Sequence, residues 1–512
     1  MEAPRQKLMK ERATVVATTT LAVVDDGLPT SVDIIGRVPL TILLEPNVLS
    51  YDGRMSQTRA AGVASDLRSH GFQAWLVGGC VRDLILGREP MDYDISTDAG
   101  PDELLRLFPR AQLVGAQFGV VLVDGIEIAT FRSDHSYADG RHPGRVVFET
   151  DARQDVLRRD FTINALLLDP AVLSSSHTPS SLYSQVVDYV GGLNDLRCGA
   201  IRAIGDPEQR FEEDHLRMLR AVRFAARFRF EIEPATLSAI QKLHAKILRV
   251  SPERIRDELV RILTEGGARR GLELLDQAGL LADILPEVAA MKGVAQPPEF
   301  HPEGDVWTHT LIMLEGLQSP SPALALGVLL HDVGKPGTFR VADRIRFDGH
   351  VELGERIARE ILNRLRFSNA EIDQVIALIA NHMRFSHVHQ MRESTLKRML
   401  RLPAFEEHLE LHRLDCSSSH GHLDNYEFAK TRFEQSAPEE LRPARLVTGD
   451  DLIAAGYAPG PDFSRMLEVA EDAQLEARIH SKEAGLELVR STFGPPQGYP
   501  GGRYGSSNSR LG

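Results

Sequence analysis

Two carboxylates separated by one residue, Asp92 and Asp94, are the first residues in this sequence whose types and spacing suit chemistry. Residues i and i+2 on a strand project to one face, so the pair can converge on divalent cations. Upstream, Gly78-Gly79 follows the apolar run Ala74 to Val77 and precedes a helical pattern from Val81 to Leu86, which reads as strand, glycine turn, helix. Glycine lets the backbone approach a triphosphate, and the following helix offers N-terminal amides and its positive dipole end to phosphate oxygens. Arg82 sits in the first turn of that helix. Asp-x-Asp alone is often a solvated turn, and Gly-Gly alone says less. The specificity comes from the ordered set of strand, Gly-Gly, Val-Arg-Asp, Leu-Gly and Asp-x-Asp. Cations at such a pair acidify an attacking hydroxyl and neutralise charge at a phosphate.

Two further constellations stand apart from this one. On a helix beginning near Glu213, at ~100° per residue, Arg217, Arg220 and Arg223 fall within an arc of about 120°, while Met218, Leu219, Val222 and Ala226 take the other side. Acidic partners at helical spacing are few, so an anionic ligand is expected on the guanidinium face. Farther on, His309, His331-Asp332 and Asp415 follow the order H, HD, D, with Gly334-Lys335 after the His-Asp pair. Imidazole and carboxylate donors suit a borderline transition metal or magnesium, and His350 and His382 are placed to support a second ion. A lone histidine is more often structural than ligating; the ordered set is what favours a metal site.

The elements that must position these residues can be read along the chain. At 512 residues and 42% hydrophobic content, the chain can bury several cores, and two or three domains are expected. Residues 1–56 read as a poorly ordered extension. There Lys7, Lys10 and Arg12 precede a mildly apolar stretch, Ala13 to Val24, in the order of a signal peptide, but four threonines and no leucine-rich core favour the extension. Residues 57–170 read as an α/β head, with short apolar runs at Gln112 to Val114, Val120 to Val123 and Ile126 to Phe131. A Ser-rich stretch from Ser174 to Ser184 reads as a loop before Val186-Val187-Asp188. Region 171–295 becomes persistently helical after Gly205-Asp206-Pro207, with no competing strand signal to about Leu281. A Pro-rich break, Gln296 to Pro302, opens a largely helical region, 296–445, that carries the histidines; 446–493 is a last helical segment, and 494–512 is a Gly, Pro, Ser and Asn tail of disordered composition.

The net charge of −13 argues against a protein that coats nucleic acid over its whole surface, so any such contact must be concentrated. Three cysteines, Cys80, Cys198 and Cys416, lack disulfide or zinc-knuckle spacing and suggest a reducing, cytoplasmic setting. No apolar run approaches the ~20 residues that span a bilayer.

With these residues in view, the segment from Leu76 to Asp83 through Asp92-Tyr93-Asp94 resembles the first motif of class II tRNA nucleotidyltransferases and bacterial poly(A) polymerases. Further blocks follow in that family's order: Arg158 to Ala165, Asp188 to Asp195, and Glu213 to Phe224. The resemblance implies a multidomain α+β protein, with a polymerase-β-like nucleotidyltransferase head followed by all-α domains that include an HD-type domain. It implies Mg2+ at Asp92 and Asp94, with Glu127 as candidate third carboxylate, and contacts from Gly78, Gly79, Arg82 and Arg159 to the incoming nucleotide. Asp214 and Arg217 would read the Watson-Crick edge of the base, with Arg220 and Arg223 completing the pocket. The polar segment Arg132 to Phe148, with Asp134, Tyr137, Asp139, Arg141 and His142-Pro143, resembles the family's flexible loop. The implied activity is addition of CCA to tRNA from CTP and ATP; poly(A) synthesis, partial CC or A addition, and an HD phosphohydrolase with an RNA-binding head stay open. The HD resemblance implies hydrolysis of 3′ or cyclic phosphates with a divalent metal.

Overall fold

The computed structural model describes residues 51–115, 119–137, 143–174 and 178–496. Most of the expected N-terminal extension and of the glycine-rich tail lies outside them. The first described helix, Tyr51–Ser69, starts before the boundary expected at residue 57.

The head is built on a seven-stranded mixed sheet in the order β3-β4-β5-β2-β1-β8-β9. The strands are β1 (Ala74–Val77), β2 (Asp94–Thr97), β3 (Gln112–Gly115), β4 (Val120–Val123), β5 (Ile126–Thr130), β8 (Leu166–Leu168) and β9 (Val186–Asp188). Only β2 and β5 run parallel; the other neighbours are antiparallel. Both faces of the central strands are covered, which explains why β1 and β8 are continuous apolar runs. Leu76, Leu166 and Leu168 enter the main core, whereas Val77 and Leu167 point to a smaller cluster with Phe131, Val156 and Ile204. Burial of each such side chain contributes roughly 1.5–3 kcal/mol.

The segment from Arg132 to Phe148 is a two-stranded ribbon, β6 (Arg132–Tyr137) against β7 (Pro143–Phe148), rather than an irregular loop. Backbone pairing of the two strands replaces the loop expected from polarity alone. Asp139, Arg141 and His142 lie outside the described residues. The stretch expected as a Ser-rich loop contains a short helix, Pro179–Tyr183, which Thr178 caps by accepting from Ser181 N at 3.2 Å.

Beyond the sheet the chain is mainly helical. Glu231–Ile232 is a departure, pairing in parallel with Ala200–Ile201; two residues are too short to leave a periodic signal. The helix expected from Glu213 is two helices, Pro207–Glu213 and Arg217–Phe228, with Asp214 between them. In the histidine region, Pro322–Leu330 is apolar all round, with every residue from Ala323 to Leu330 buried, so it forms the centre of its domain. Around it stand Val306–Glu315, His350–Arg364, Asn369–Asn381 and Phe405–Ser418. The segment after Leu446 divides into three helices, ending with Lys482–Phe493. No described helix is long and apolar enough to cross a membrane.

The block Asp188 to Asp195 has a structural use. Asp188 accepts from the backbone N–H groups of Val190, Gly191, Gly192 and Leu193 at 2.9–3.1 Å, closing the turn into the next helix. A Cβ on Gly192 would lie 2.2 Å from the Thr162 carbonyl oxygen, so this turn docks backbone to backbone against the Arg158 to Ala165 block. Gly192→Ala is expected to destabilise the chain by about 2–3 kcal/mol in urea unfolding, since neither backbone can yield cheaply.

Candidate active site and metal centre

Asp94 opens β2, and Glu127 stands opposite it in the parallel register of β5. Opposed residues of neighbouring strands share a face, so register brings together two carboxylates distant in sequence. Asp92 precedes β2 in the connection rather than standing on it, so strand alternation covers only Asp94. Tyr93 is buried between the two aspartates, while Asp92 is exposed. Burial, and then the charges of Glu127 and Asp92, push the Asp94 carboxyl up to about 6, while Arg159 draws it down. Three carboxylates with one of them held partly protonated is the state a divalent cation relieves, and the donor set suits Mg2+.

The glycine turn fits beside them. Gly78 has φ 80°, and a Cβ there would meet Arg159 Nη1 at 3.4 Å and Asp94 Oδ2 at 3.8 Å. Only glycine adopts this conformation without strain and leaves the hollow open. Gly79 begins the helix Gly79–Ile85. Arg159 enters from the other side, anchored through Nη2 to Asp155 Oδ2 at 2.9 Å; Asp155 is 1% exposed and also holds Arg158 at 2.6 Å. Arg159 remains close enough to Asp94 to affect its acidity, where a triphosphate would need a cation.

Arg82 is placed differently from the expectation. It is buried, donates to Asp83 Oδ1 at 2.8 Å and Asn164 Oδ1 at 2.6 Å, and its guanidinium lies 4.6 Å from the centre of the Phe228 ring. It joins the glycine-turn helix to the Arg158 to Ala165 block, and its donors are spent on protein.

The guanidinium face also differs from the expectation of an uncompensated surface. Arg220 pairs with Asp160 at 2.7 Å, Arg223 is buried against Glu258 at 2.8 Å, and Arg217 pairs with Glu213 at 2.7 Å. Helical spacing within one segment does not reveal these carboxylates, because two come from other elements. Arg223 is therefore a core ion pair, with no open side for a nucleotide. Asp214 accepts from Leu216 N at 3.1 Å and from Arg254 at 2.8 Å, and Arg217 also donates to the carbonyls of Arg158 and Arg210. Both expected base-reading residues are thus clamped in one orientation.

Sequence reasoning passed over Asp155, Asp160 and Asn164. Asp160 accepts from Phe161 N, from Asn164 at 3.1 Å and from Arg220, and these ties outweigh burial to bring it down to about 2. The one readable signal was Asp155 at i−3 and i−4 from Arg158 and Arg159.

The histidines meet in the second region. His309, His331 and Asp332 present ligand atoms within 4.8 Å of one another, and Asp332, His350 and His382 do the same, so Asp332 belongs to both groups. Asp415 Oδ1 lies 3.2 Å from His309 Nε2. In three imidazoles, Nδ1 lies within hydrogen-bond distance of a carbonyl three residues earlier: His331 on Val328 at 2.9 Å, His350 on Phe347 at 2.9 Å and His382 on Ile379 at 2.6 Å. This fixes Nδ1 as the donor and leaves Nε2 to carry the lone pair. The Nε2 atoms of all four histidines are buried without a well-formed hydrogen bond, the state expected of ligands, so these residues fit a divalent metal. Burial pushes His382 down to about 4, whereas at His309 Asp415 and Glu303 outweigh burial and bring it up to about 9. Lys335, noticed only as part of a Gly-Lys pair, is buried with Nζ 2.6 Å from Asp332 Oδ2. The centre opens on a cavity of about 730 Å3 lined in part by Phe300, Phe347, Met383 and His412.

Comparison with known proteins agrees with this arrangement. Residues 74–202 match the model of the poly A polymerase head domain, 229–292 that of the probable RNA and SrmB-binding site of polymerase A, and 305–410 that of the HD domain. The chain thus carries segments similar to a poly A polymerase head and to an HD domain. It is 38% identical over 266 residues to the CCA-adding enzyme of Lactobacillus helveticus, covering 50% of this chain and 63% of that protein. It is 42% identical over 226 residues to the CCA-adding enzyme of Levilactobacillus brevis, covering 43% and 54%. The chain thus spans less than two thirds of the length of these curated relatives. Among solved structures it is similar to the Bacillus stearothermophilus CCA-adding enzyme in complex with CTP, with TM-score 0.64, 26% identity, and coverage of 85% of this chain and 97% of that one.

Three outcomes follow for the head. Mg2+ affinity should fall as pH drops below about 6, because a proton on Asp94 competes with the ion; calorimetric titration at pH 5 and 7.5 measures it. Because the folded-state pKa is raised, Asp94 adds stability at low pH that is lost as pH rises from about 4 to 6. Asp94→Asn should therefore leave metal-free thermal stability at pH 7.5 unchanged or higher while weakening Mg2+ binding by on the order of tenfold or more. Asp160→Ala, which removes the acceptor shared by Phe161 N, Asn164 and the half-buried Arg220, should cost about 2 kcal/mol in urea unfolding.

Proposed function

We propose that the chain is a tRNA nucleotidyltransferase that adds CCA to the 3′ end of tRNA from CTP and ATP, without a nucleic-acid template, releasing pyrophosphate. The observation that carries this reading is the register pairing of Asp94 with Glu127, beside Gly78 and Arg159, in a poly A polymerase head. Divalent cations, Mg2+ in this reading, supply charge neutralisation at the α-phosphate and acidify the attacking 3′ hydroxyl when held by Asp92, Asp94 and Glu127. Arg159 orients the triphosphate, and Gly78 gives it room. No covalent enzyme intermediate is required.

Base choice falls to Asp214 and Arg217. A carboxylate accepts from the exocyclic amine carried by cytosine and adenine, and a guanidinium donates to ring nitrogen or carbonyl. Arg254 and Glu213 hold the two side chains in place, so selection rests on a preorganised pair. The tRNA contact would come from concentrated basic residues of the helical body, and binding should weaken with salt as counterions are released. Three free cysteines are compatible with a cytoplasmic setting.

Incorporation of labelled CTP and ATP into tRNA transcripts ending before CC, after CC, and into unrelated RNA tests the reading. Two C residues followed by one A on tRNA alone are expected; long A tails on any RNA would instead assign poly(A) synthesis, and addition that stops after CC, or of A alone, a partial enzyme.

A second activity is favoured by the four buried Nε2 atoms around Asp332. We infer that this centre holds one or two divalent metals and hydrolyses 3′ or cyclic phosphates. Asp332→Ala should abolish hydrolysis of such substrates and spare nucleotide addition, and Asp94→Ala should do the reverse.

A further inference from the structure

One imidazole of the histidine centre is held unlike the others. His331, His350 and His382 rest Nδ1 on backbone carbonyls, which are neutral acceptors. His309 rests Nδ1 on the carboxylate of Glu303, Oε1 at 2.7 Å, with Ser418 Oγ at 3.2 Å as a lesser partner. The same oxygen takes His301 Nδ1 at 2.9 Å. Glu303 is 6% exposed and its other oxygen, Oε2, is buried with no hydrogen bond. Its charge is thus confined beside one ligand and far less screened than at a surface.

We propose that Glu303 is a positioning residue that makes the two metal positions around Asp332 unequal. This rests on the metal-centre reading given above. Through the hydrogen bond at Nδ1, the carboxylate fixes the tautomer of His309, aims Nε2 at the ion and adds negative charge behind it; a ligand backed by a carboxylate binds a dication more tightly than one backed by a carbonyl. The position served by His309, His331, Asp332 and Asp415 gains this support. The position served by Asp332, His350 and His382 has only carbonyl-backed imidazoles. The first position therefore fills first, and the second follows at higher metal concentration.

The test uses the full chain stripped of metal with a chelator and titrated with Co2+ at one fixed pH for the parent and its variants. Visible absorption reports imidazole-bound cobalt, to which a carboxylate-only site adds little. Two separated steps are expected. Glu303→Gln keeps the shape and a hydrogen-bond acceptor but removes the charge, and should weaken the first step by about 10–100-fold while leaving the second in place. Nitrogen-15 NMR of the metal-free imidazoles, recorded above the pH at which His309 becomes neutral, should show His309 losing its single tautomer in Glu303→Ala, with His350 and His382 unchanged. Equal Co2+ affinity in Glu303→Gln and the parent, or equal weakening of both steps, would overturn the proposal while leaving the metal centre standing. If the parent chain binds no imidazole-ligated cobalt, the metal-centre reading fails and takes this inference with it.

Discussion

The carboxylate of Asp160 joins two parts of the molecule that have to move as one. It accepts from Phe161 N and Asn164 in the head and from Arg220 on the helix Arg217–Phe228. Asn164 in turn accepts from Arg82, which leaves the glycine turn beside Asp94. A hydrogen-bonded path therefore runs from the helix after the glycine turn to the helix Arg217–Phe228. A buried charge is tolerable only when its partners are fixed, so the ion pair that stabilises this junction also sets its geometry.

The same physics arranges the carboxylates and the imidazoles, with opposite signs. In the head, burial and then the like charge of Glu127 that strand register sets beside it raise the pKa of Asp94. In the HD domain, buried imidazoles are pinned on one nitrogen so that the other points inward toward the carboxylates without a well-formed hydrogen bond. His331 and His382 stand at helix C-termini, where carbonyls lack amide partners; His350 leans on the turn before its helix. Each site stores unfavourable interaction that a bound cation would relieve.

Several elements were legible because they are local. The run Ala74 to Val77 is a strand, the glycines after it form the turn, and the histidine region is helical. The order His309, His331-Asp332, Asp415 was sufficient to place those side chains together. The Arg132 to Phe148 segment was not legible, because its polar residues carry no alternation, and pairing between its own two strands decides its form. Glu303 was missed for a similar reason: six residues and a helix start separate it from His309, a spacing with no periodic meaning.

By itself the sequence determined residue types, periodicities and motif order, and these suffice for the head and the helical body, since such signals depend on neighbours within a few residues. Only tertiary structure decided what each charge faces. Arg82 and Arg223 look in sequence like open guanidiniums, yet they are enclosed by Asp83, Asn164 and Glu258. Glu127 is a candidate third carboxylate in the sequence, and register is what sets it opposite Asp94. Charge partnership acts through space over a few ångströms, and chain separation says little about which groups the fold brings to that distance.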